Sequence, residues 1–424
     1  MIQLVRGFKD ILPTDTPLWQ HVEAVVRELL EDFGFAELRI PLLERTELFA
    51  RSIGAGTDIV EKEMYTFTDR GGASLSLRPE ATASVVRAYV EHRLYAKDPV
   101  CKLYTIGPMF RRERPQRGRY RQFHQINAEV FGLHDPRTDA ELILLLMTFM
   151  SRLALGGVLL NINSLGCPQC RPRFKEGLKS FLSGRPEAFC TDCLRRKDEN
   201  PLRLFDCKIP ECKEALQEAP SILDNLCEAC STHFNEVKRS LDRFKIPYQV
   251  NNRLVRGLDY YTRTTFEVLA ESLGAQDAVA GGGRYDGLVE ALGGPNEPGV
   301  GFAIGVDRLM EILVKGAQDF EKRPHIFVAA IGEAAQDLAF EWVEGLRLQG
   351  IRAEMDFTNR SLKSQMRRAD KFGASYVVIV GDRELEEGMA VFRNMATKDQ
   401  EQVVLQEVVG TAVERIRASA VGGA

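Results

Sequence analysis

The residues with the clearest chemical potential are arginines. The stretch RRERPQRGRYR carries six of them, at positions 111, 112, 114, 117, 119 and 121, against a single acid, Glu113. Guanidinium forks grip phosphate through paired hydrogen bonds, so a dense cluster suits a nucleotide or an RNA end. A solvated loop is the ordinary reading of such a charge run. Here Phe110, Tyr120 and Phe123 flank it and offer rings that hold the loop against a core or stack on a base.

Two other segments carry groups suited to a small polar ligand. Leu75-Ser-Leu-Arg-Pro-Glu-Ala-Thr82 ends a strand at Pro79 and starts a helix, which puts Glu80 and Thr82 at a junction where side chains often face a pocket. A carboxylate there would receive an ammonium group, although Glu in a first helical turn is also favoured by the helix dipole. Gln125 and Glu129 lie four residues apart in a strand-like stretch, so they share a face with Phe123, Asn127 and Phe131. That face reads as the floor of a polar pocket or as solvent exposure, with exposure slightly favoured.

Ala280-Gly-Gly-Gly-Arg-Tyr-Asp-Gly287 lets a backbone approach a ligand closely, or simply marks a turn or tight packing. It is not a P-loop, because GxxxxGK[ST] occurs nowhere in the chain. Cys167-x2-Cys170 is followed after 19 residues by Cys190-x2-Cys193, a spacing that fits paired thiolates on a structural zinc. Cys207, Cys212, Cys227 and Cys230 are further candidates, and Cys101 reads as a small buried hydrophobe. Arg360, Lys363, Arg367 and Lys371 recur at three and four, so one face of a helix is basic, either as solvated surface or as a phosphate patch.

The elements that must position these groups follow from periodicity. Thr16-Pro17 opens an amphipathic helix with Leu18, Val22, Val25, Val26, Leu29, Leu30 and Phe33 on one side; Gly34 ends it, and Ala36 to Ile40 reads as a strand stopped by Pro41. Val100 to Ile106 and Gln122 to Phe131 form a hairpin around the arginines. Thr264 to Leu269 and Ala278 to Ala280 read as strands, and Ile304 to Val314 as a helix. Together these give one antiparallel sheet with helices. From about Gly166 to Tyr248 the periodicity is helical, which marks an insertion. After Lys322-Arg323-Pro324, the strands HIFVAAIG, IRAEMD and SYVVIVG alternate with helices, so a small α/β domain with a largely parallel sheet is expected.

Bulk properties exclude several classes. A formal net charge of -4 is incompatible with a globally basic nucleic-acid binder, so phosphate contacts must come from local patches. The longest apolar stretch, Leu142 to Met150, falls far short of the roughly 20 residues that cross a bilayer. The N-terminal MIQLVRGFKDILP has no apolar core followed by a cleavage site, so a cytoplasmic location is expected and the nine cysteines are expected to stay reduced.

Taken in order, these segments resemble the class II aminoacyl-tRNA synthetases: the helix and strand ending at Pro41, the Phe110-Arg111-x-Glu113 hairpin, and Gly301-Phe-Ala-Ile-Gly-Val-Asp-Arg308 before a helix are similar to motifs one, two and three. Leu254-Val-Arg-Gly-Leu-Asp-Tyr-Tyr261 and the run from Ala280 to Gly287 are similar to the two peptides that distinguish the histidyl family. The resemblance covers nearly the whole chain.

What it implies is specific. An α+β catalytic domain, an antiparallel sheet flanked by helices, would span 1–165 and 249–320; a cysteine-rich helical insertion would span 166–248; an α/β anticodon-binding domain would span 324–424. The reaction would join L-histidine to ATP as the adenylate and then transfer it to tRNA(His), with magnesium on the phosphates and, through motif one, a homodimer. Arg111 and Arg256 would be catalytic, meeting charge at the α-phosphate. Arg111, Glu113, Arg119 and Arg308 would hold ATP, with Arg308 on the γ-phosphate. Glu80, Ala81, Thr82, Gln125, Glu129, Tyr260 and Tyr261 would bind histidine, the first polar groups taking its ammonium and Glu129 with Tyr261 its imidazole. Such a pocket needs no editing domain, since analogues leave its buried polar groups unpaired. Family members can carry the insertion without cysteines, so zinc would be a feature of this chain, with Cys167, Cys170, Cys190 and Cys193 as ligands.

Two rival readings stand, the second more distant than the first. A regulatory paralogue that binds histidine and activates an ATP phosphoribosyltransferase typically lacks the last domain, whereas this chain has it, the arginine hairpin and Arg256. A synthetase for proline, threonine or glycine would share the last domain but not LVRGLDYY.

Overall fold

The arginine-rich segment is the turn of a long antiparallel hairpin, Cys101–Phe110 and Gln122–Phe131, paired from Cys101 opposite Phe131 to Phe110 opposite Gln122. In the computed structural model, which describes residues 1–54, 57–116, 118–184, 186–199, 201–207, 209–270, 278–314, 320–358 and 360–421, this hairpin belongs to an eight-stranded sheet. The chain divides into two compact units, Met1–Asp319 and Phe320–Ala424.

Across the sheet of the first unit the strands run Ala36–Glu37, Cys101–Phe110, Gln122–Phe131, Gly299–Gly305, Ala278–Arg284, Thr262–Ala270, Val158–Ser164 and Gln249–Val250. The six long strands are mutually antiparallel; each two-residue edge strand pairs in parallel with its neighbour, so the sheet is mixed at its borders. The first strand is shorter than its apolar pattern predicts, ending at Glu37 rather than Ile40. Ile304 is a strand residue opposite Ala280, so the helix expected from that position begins at Val306.

Alternation along Gln122–Phe131 separates core from site. Ile126, Ala128 and Val130 bury against the helices Thr16–Asp32 and Pro136–Arg152, whose Val22, Val26, Leu29, Leu146 and Phe149 are fully buried. Each such aliphatic or aromatic side chain removed from water contributes about 1.5–3 kcal/mol, which is what fixes the register of this strand. The opposite face carries Phe123, Gln125, Asn127, Glu129 and Phe131. Glu129 and Asn127 are each only 1% exposed, so the solvent reading of this face does not hold.

A buried ionic knot ties the cysteine-rich segment to this core. Arg284 donates from Nε to Asp139 Oδ1 at 3.0 Å, and His233 Nε2 lies 2.8 Å from Asp139 Oδ2. Burial alone would raise the Asp139 carboxyl; Arg284 and His233 outweigh it and hold it below the usual range. His233 sits on helix Glu228–Arg243, the last of the insertion, whose Phe234, Val237 and Leu241 join the main core. Between Ser164 and Gln249 the described residues form helices and no strand, around Phe174, Leu178, Leu182, Leu204, Leu216 and Ile222.

The second unit has a five-stranded sheet ordered Ala353–Met355, Ile326–Ala330, Tyr376–Val380, Met389–Asn394 and Gln400–Val404. The three strands expected from alternation are parallel; the last two add an antiparallel hairpin. Helix Glu333–Leu348 buries Ala335, Ala339, Trp342, Val343 and Leu346 against one face of this sheet, and Leu362–Lys371 buries Ala369 against the other.

Candidate active site

The hairpin turn closes over a cavity of about 240 Å³ whose lining includes Arg111, Arg119, Arg256 and Arg308 with Glu113 and Glu267. Arg111 is steered by its surroundings: Nε donates to the Pro79 carbonyl at 2.9 Å, and the guanidinium lies 5.4 Å from the Phe123 ring centroid. Arg119 pairs with Glu113 at 3.0 Å. Arg308 donates from Nη1 to the Ala278 carbonyl at 2.6 Å; burial, then the nearby Arg119, lower its basicity. Four guanidinium groups converging on one cavity form a site for a polyphosphate. Of the other loop arginines, Arg121 donates to the carbonyls of Arg6 and Glu113, and the Arg112 amide bonds the Glu63 carbonyl. Arg117 lies outside the described residues.

Arg256 joins this cavity to a cluster of buried polar side chains, among them Glu80, Glu129 and Tyr261. Its Nη1 donates to Glu267 Oε1 at 2.7 Å, and its guanidinium lies 5.9 Å from the Tyr261 ring centroid. Gly281 explains why a glycine stands opposite: a Cβ there would sit 2.5 Å from Arg256 Nη1. The glycine run thus makes room for an arginine that lines the cavity, rather than forming a phosphate loop of its own.

In this buried cluster, Glu80 accepts from the backbone amides of Thr82 and Ala83, both at 2.8 Å, so it caps helix Thr82–Glu91 with Ala81 buried beside it. Burial pushes its carboxyl up against those bonds. The Thr82 hydroxyl donates to Glu129 Oε1 at 2.7 Å, and the Tyr285 hydroxyl donates to Glu129 Oε2. Burial pushes Glu129 up to about 8, opposed by the Tyr285 and Thr82 bonds and aided by Glu80. The rings of Tyr260 and Tyr261 lie 4.7 Å apart, with Tyr285 5.6 Å from Tyr260. Gln125 Oε1 is buried without a hydrogen-bond partner among the described residues. Two carboxyl groups and three phenols gather here, with the unsatisfied Gln125 oxygen lining the adjoining arginine cavity, a set rich in acceptors and suited to a compact cation-bearing ligand.

The structure therefore brings Glu80, Thr82, Glu129, Tyr260 and Tyr261 together, and Arg111, Glu113, Arg119, Gln125, Arg256 and Arg308 around the adjoining cavity. Sequence reasoning missed Glu267, Tyr285 and Asp307. Glu267 had a signal, being the one acid within the β-forming strand Thr262–Ala270. Asp307 accepts from the His124 amide at 2.6 Å and so fastens the helix after motif three to the hairpin; nothing in its spacing announces this.

The cysteines require a correction. Cys167, Cys170, Cys190 and Cys193 do not form one set. Cys167 and Cys170 meet Cys227 and Cys230, while Cys190 and Cys193 meet Cys207 and Cys212. Spacing identifies the pairs, but the helices between them decide which pairs meet.

An antiparallel sheet carrying an arginine hairpin, with helices behind it and a second α/β unit in the chain, defines a class II aminoacyl-tRNA synthetase. A family model described as histidyl-tRNA synthetase matches residues 7–309, and one described as anticodon binding domain matches 325–415. The chain is 58% identical over 405 residues to the histidine--tRNA ligase of Desulfatibacillum aliphaticivorans, covering 96% of this chain and 97% of that one. It is 55% identical over 405 residues to that of Geobacter metallireducens, with 96% and 98% covered. Among solved structures, apo histidyl-tRNA synthetase of S. aureus matches with a TM-score of 0.83 at 37% identity, covering 97% of this chain and 99% of that one. The chain belongs to the histidyl-tRNA synthetase family.

Proposed function

We propose that the two adjoining pockets divide the work of histidine activation, with Arg256 at their junction. As a member of its family, the chain charges tRNA(His) with histidine in an ATP-dependent reaction. In the proposed assignment, Glu80, Thr82 and Gln125 receive the α-ammonium, and Glu129 with Tyr261 faces the two imidazole nitrogens, Ala81 and Tyr260 completing the wall. The histidine carboxylate then attacks the α-phosphorus, a P–O bond forms, and the bond to pyrophosphate breaks. Arg111 and Arg256 face the charge that builds on the α-phosphate oxygens; Glu113 holds Arg119 in place and Arg308 takes the γ-phosphate.

The single observation that carries this reading is Arg256 itself, which lines the arginine cavity and lies against the Tyr261 ring. The test is pyrophosphate exchange into ATP with each of the twenty amino acids. Exchange driven by histidine alone, and lowered at least a hundredfold in Arg256→Ala, is expected on the scale of a lost charge-stabilising donor, about 10²–10³ in rate. Exchange driven by another amino acid, or an Arg256→Ala variant with full activity, overturns it.

Further assignments belong to the same reading. Glu113 and Glu267 are paired with Arg119 and Arg256, so magnesium would be held chiefly by the phosphate oxygens of bound ATP and by water, and would neutralise phosphate charge there. The proposed domains are a catalytic body of 1–165 and 249–320, the insertion 166–248 and an anticodon-binding domain 324–424. Among the described residues no helix is long and apolar enough to cross a membrane; we place the enzyme in the cytoplasm as a homodimer. Retention of residues matching the anticodon-binding model, together with the arginine hairpin, favours a charging enzyme over a regulatory paralogue.

A further inference from the structure

Eight of the nine cysteines gather in two quartets, Cys167, Cys170, Cys227 and Cys230, and Cys190, Cys193, Cys207 and Cys212. Within each quartet every Sγ lies within 4.8 Å of the others. Cys167 and Cys170 are 3.7 Å apart, Cys167 and Cys227 3.9 Å, Cys190 and Cys207 4.0 Å. Four thiolates about 2.3 Å from a central zinc, at tetrahedral angles, would be about 3.8 Å apart. A disulfide would need about 2.05 Å, and all nine cysteines are free.

Backbone donors add a second observation. The Cys227 amide donates to Cys170 Sγ at 3.1 Å, and the Cys190 amide to Cys212 Sγ at 3.2 Å. Cysteines buried merely as hydrophobes have no reason to converge four at a time with amides aimed at their sulfurs.

We propose that this segment binds two zinc ions, one in each quartet, as closed tetrathiolate sites that position the Leu254–Tyr261 peptide of the active site. The first site clasps the root of the insertion. Cys167 follows strand Val158–Ser164, and Cys227 precedes helix Glu228–Arg243. Arg171, next to Cys170, donates to the carbonyls of Leu165, at 3.4 Å, and of Tyr261. The second site brackets the turn Pro201–Asp206, from which Arg203 donates to the Gly257 carbonyl at 2.5 Å and to Asp259 Oδ1 at 3.4 Å. Each ion thus fixes the base of an arginine that holds the peptide carrying Arg256 and Tyr261. The positioning half rests on the active-site reading above; the metal half does not.

The test begins with metal content, measured by plasma mass spectrometry on the full chain purified in zinc-containing medium and desalted. Two zinc per chain are expected, falling to one in Cys230→Ser and to one in Cys212→Ser. Less than a tenth of an equivalent, iron in place of zinc, or a single ion removed equally by Cys167→Ser and Cys190→Ser overturns the assignment. Should these variants fold poorly, X-ray absorption on the wild type decides: four sulfurs at about 2.3 Å for all the zinc are expected, and nitrogen or oxygen ligands overturn it. In pyrophosphate exchange, Cys230→Ser should raise KM for histidine about tenfold through Tyr261 and lower kcat at least severalfold through Arg256, with KM for ATP moving less. A variant that has lost one zinc yet keeps wild-type kcat and KM overturns the positioning role. A wild type that holds two zinc and exchanges nothing would remove the active-site reading and leave the ions standing.

Discussion

Arg256 and Glu267 meet at 2.7 Å on the floor of the arginine cavity, joining the LVRGLDYY peptide to the strand Thr262–Ala270. The pair has a steering role. Glu267 occupies one edge of the guanidinium, so the remaining donors can be directed at a phosphate, and a charge placed this way stabilises a transition state without reorganising. Glu267→Ala should lower kcat for adenylate formation by about 10–100-fold while KM for ATP moves less, because orientation rather than charge is lost. Steady-state exchange kinetics check this; a variant within twofold of wild type rules out the steering role.

Gly281 and Gly301 set close approaches, one to the movable guanidinium of Arg256 and the other to the backbone carbonyl of Ala128 and to Glu129. A Cβ at 301 would lie 1.6 Å from Glu129 Oε2 and 2.6 Å from the Ala128 carbonyl, so Glu129 and its strand must move. Gly301→Ala should therefore raise KM for histidine at least tenfold and lower thermal stability, since a misplacement of about 1 Å costs up to about a hundredfold. Gly281→Ala displaces Arg256 instead and should act mainly on kcat. Equal effects of both substitutions on kcat and KM would refute the division of labour between the two pockets.

Much of this was legible in the residues themselves. Alternation gave the hairpin, and the arginine turn stood out because so many guanidinium groups share one short loop. Burial of Glu129 was not legible, because it depends on Gly301 lying across the sheet from it, a neighbour set by register rather than by sequence proximity. The strands Met389–Asn394 and Gln400–Val404 are hidden in the sequence because charged and amide side chains interrupt both. Likewise the cysteine pairs were visible but their partners were not: Cys167 and Cys227 stand far apart in the chain and meet only because the helices between them turn back.

Glu129 gives the ligand-free protein a signature in pH. Its carboxyl is raised from an ordinary 4.5 to about 8, so between those values the folded chain holds a proton that the unfolded chain has released. Stability from this group is present in full below about 4.5, declines as pH rises through that window and is gone above about 8. Glu129→Gln abolishes the titration. Melting temperatures of wild type and variant, compared from pH 5 to 9, should therefore diverge in favour of the variant as pH rises and run parallel above about 8. A difference that stays constant with pH would show that Glu129 is ionised throughout.

The buried knot of Arg284, Asp139 and His233 makes a prediction about folding alone. Arg284 and Asp139 are both 0% exposed, and removing one partner strands the other charge in the interior. Asp139→Ala should cost about 3–5 kcal/mol, read as a lowered urea midpoint. Because the knot also anchors helix Glu228–Arg243, hydrogen exchange in that helix should accelerate ahead of the hairpin strands. Uniform acceleration would mean that the knot belongs to the global core and does not fasten the insertion.

The basic face of helix Leu362–Lys371 separates RNA binding from amino-acid activation. Lys363, Arg367 and Lys371 are exposed on the helix; Arg360, expected on the same face, is exposed but lies before the helix begins, and Arg368 is committed to Asp356 at 3.2 Å. Exposed cations at helical spacing, in a unit matching an anticodon-binding model, are placed to meet phosphates, and each phosphate neutralised releases counterions. Replacing Lys363 and Arg367 by Ala should raise KM for tRNA(His) and reduce the slope of log affinity against log salt by about one for each phosphate-binding cation removed. Pyrophosphate exchange, which needs no RNA, should be unchanged. If aminoacylation keeps its wild-type KM and salt slope, the face is solvated surface and the RNA is held elsewhere on the chain.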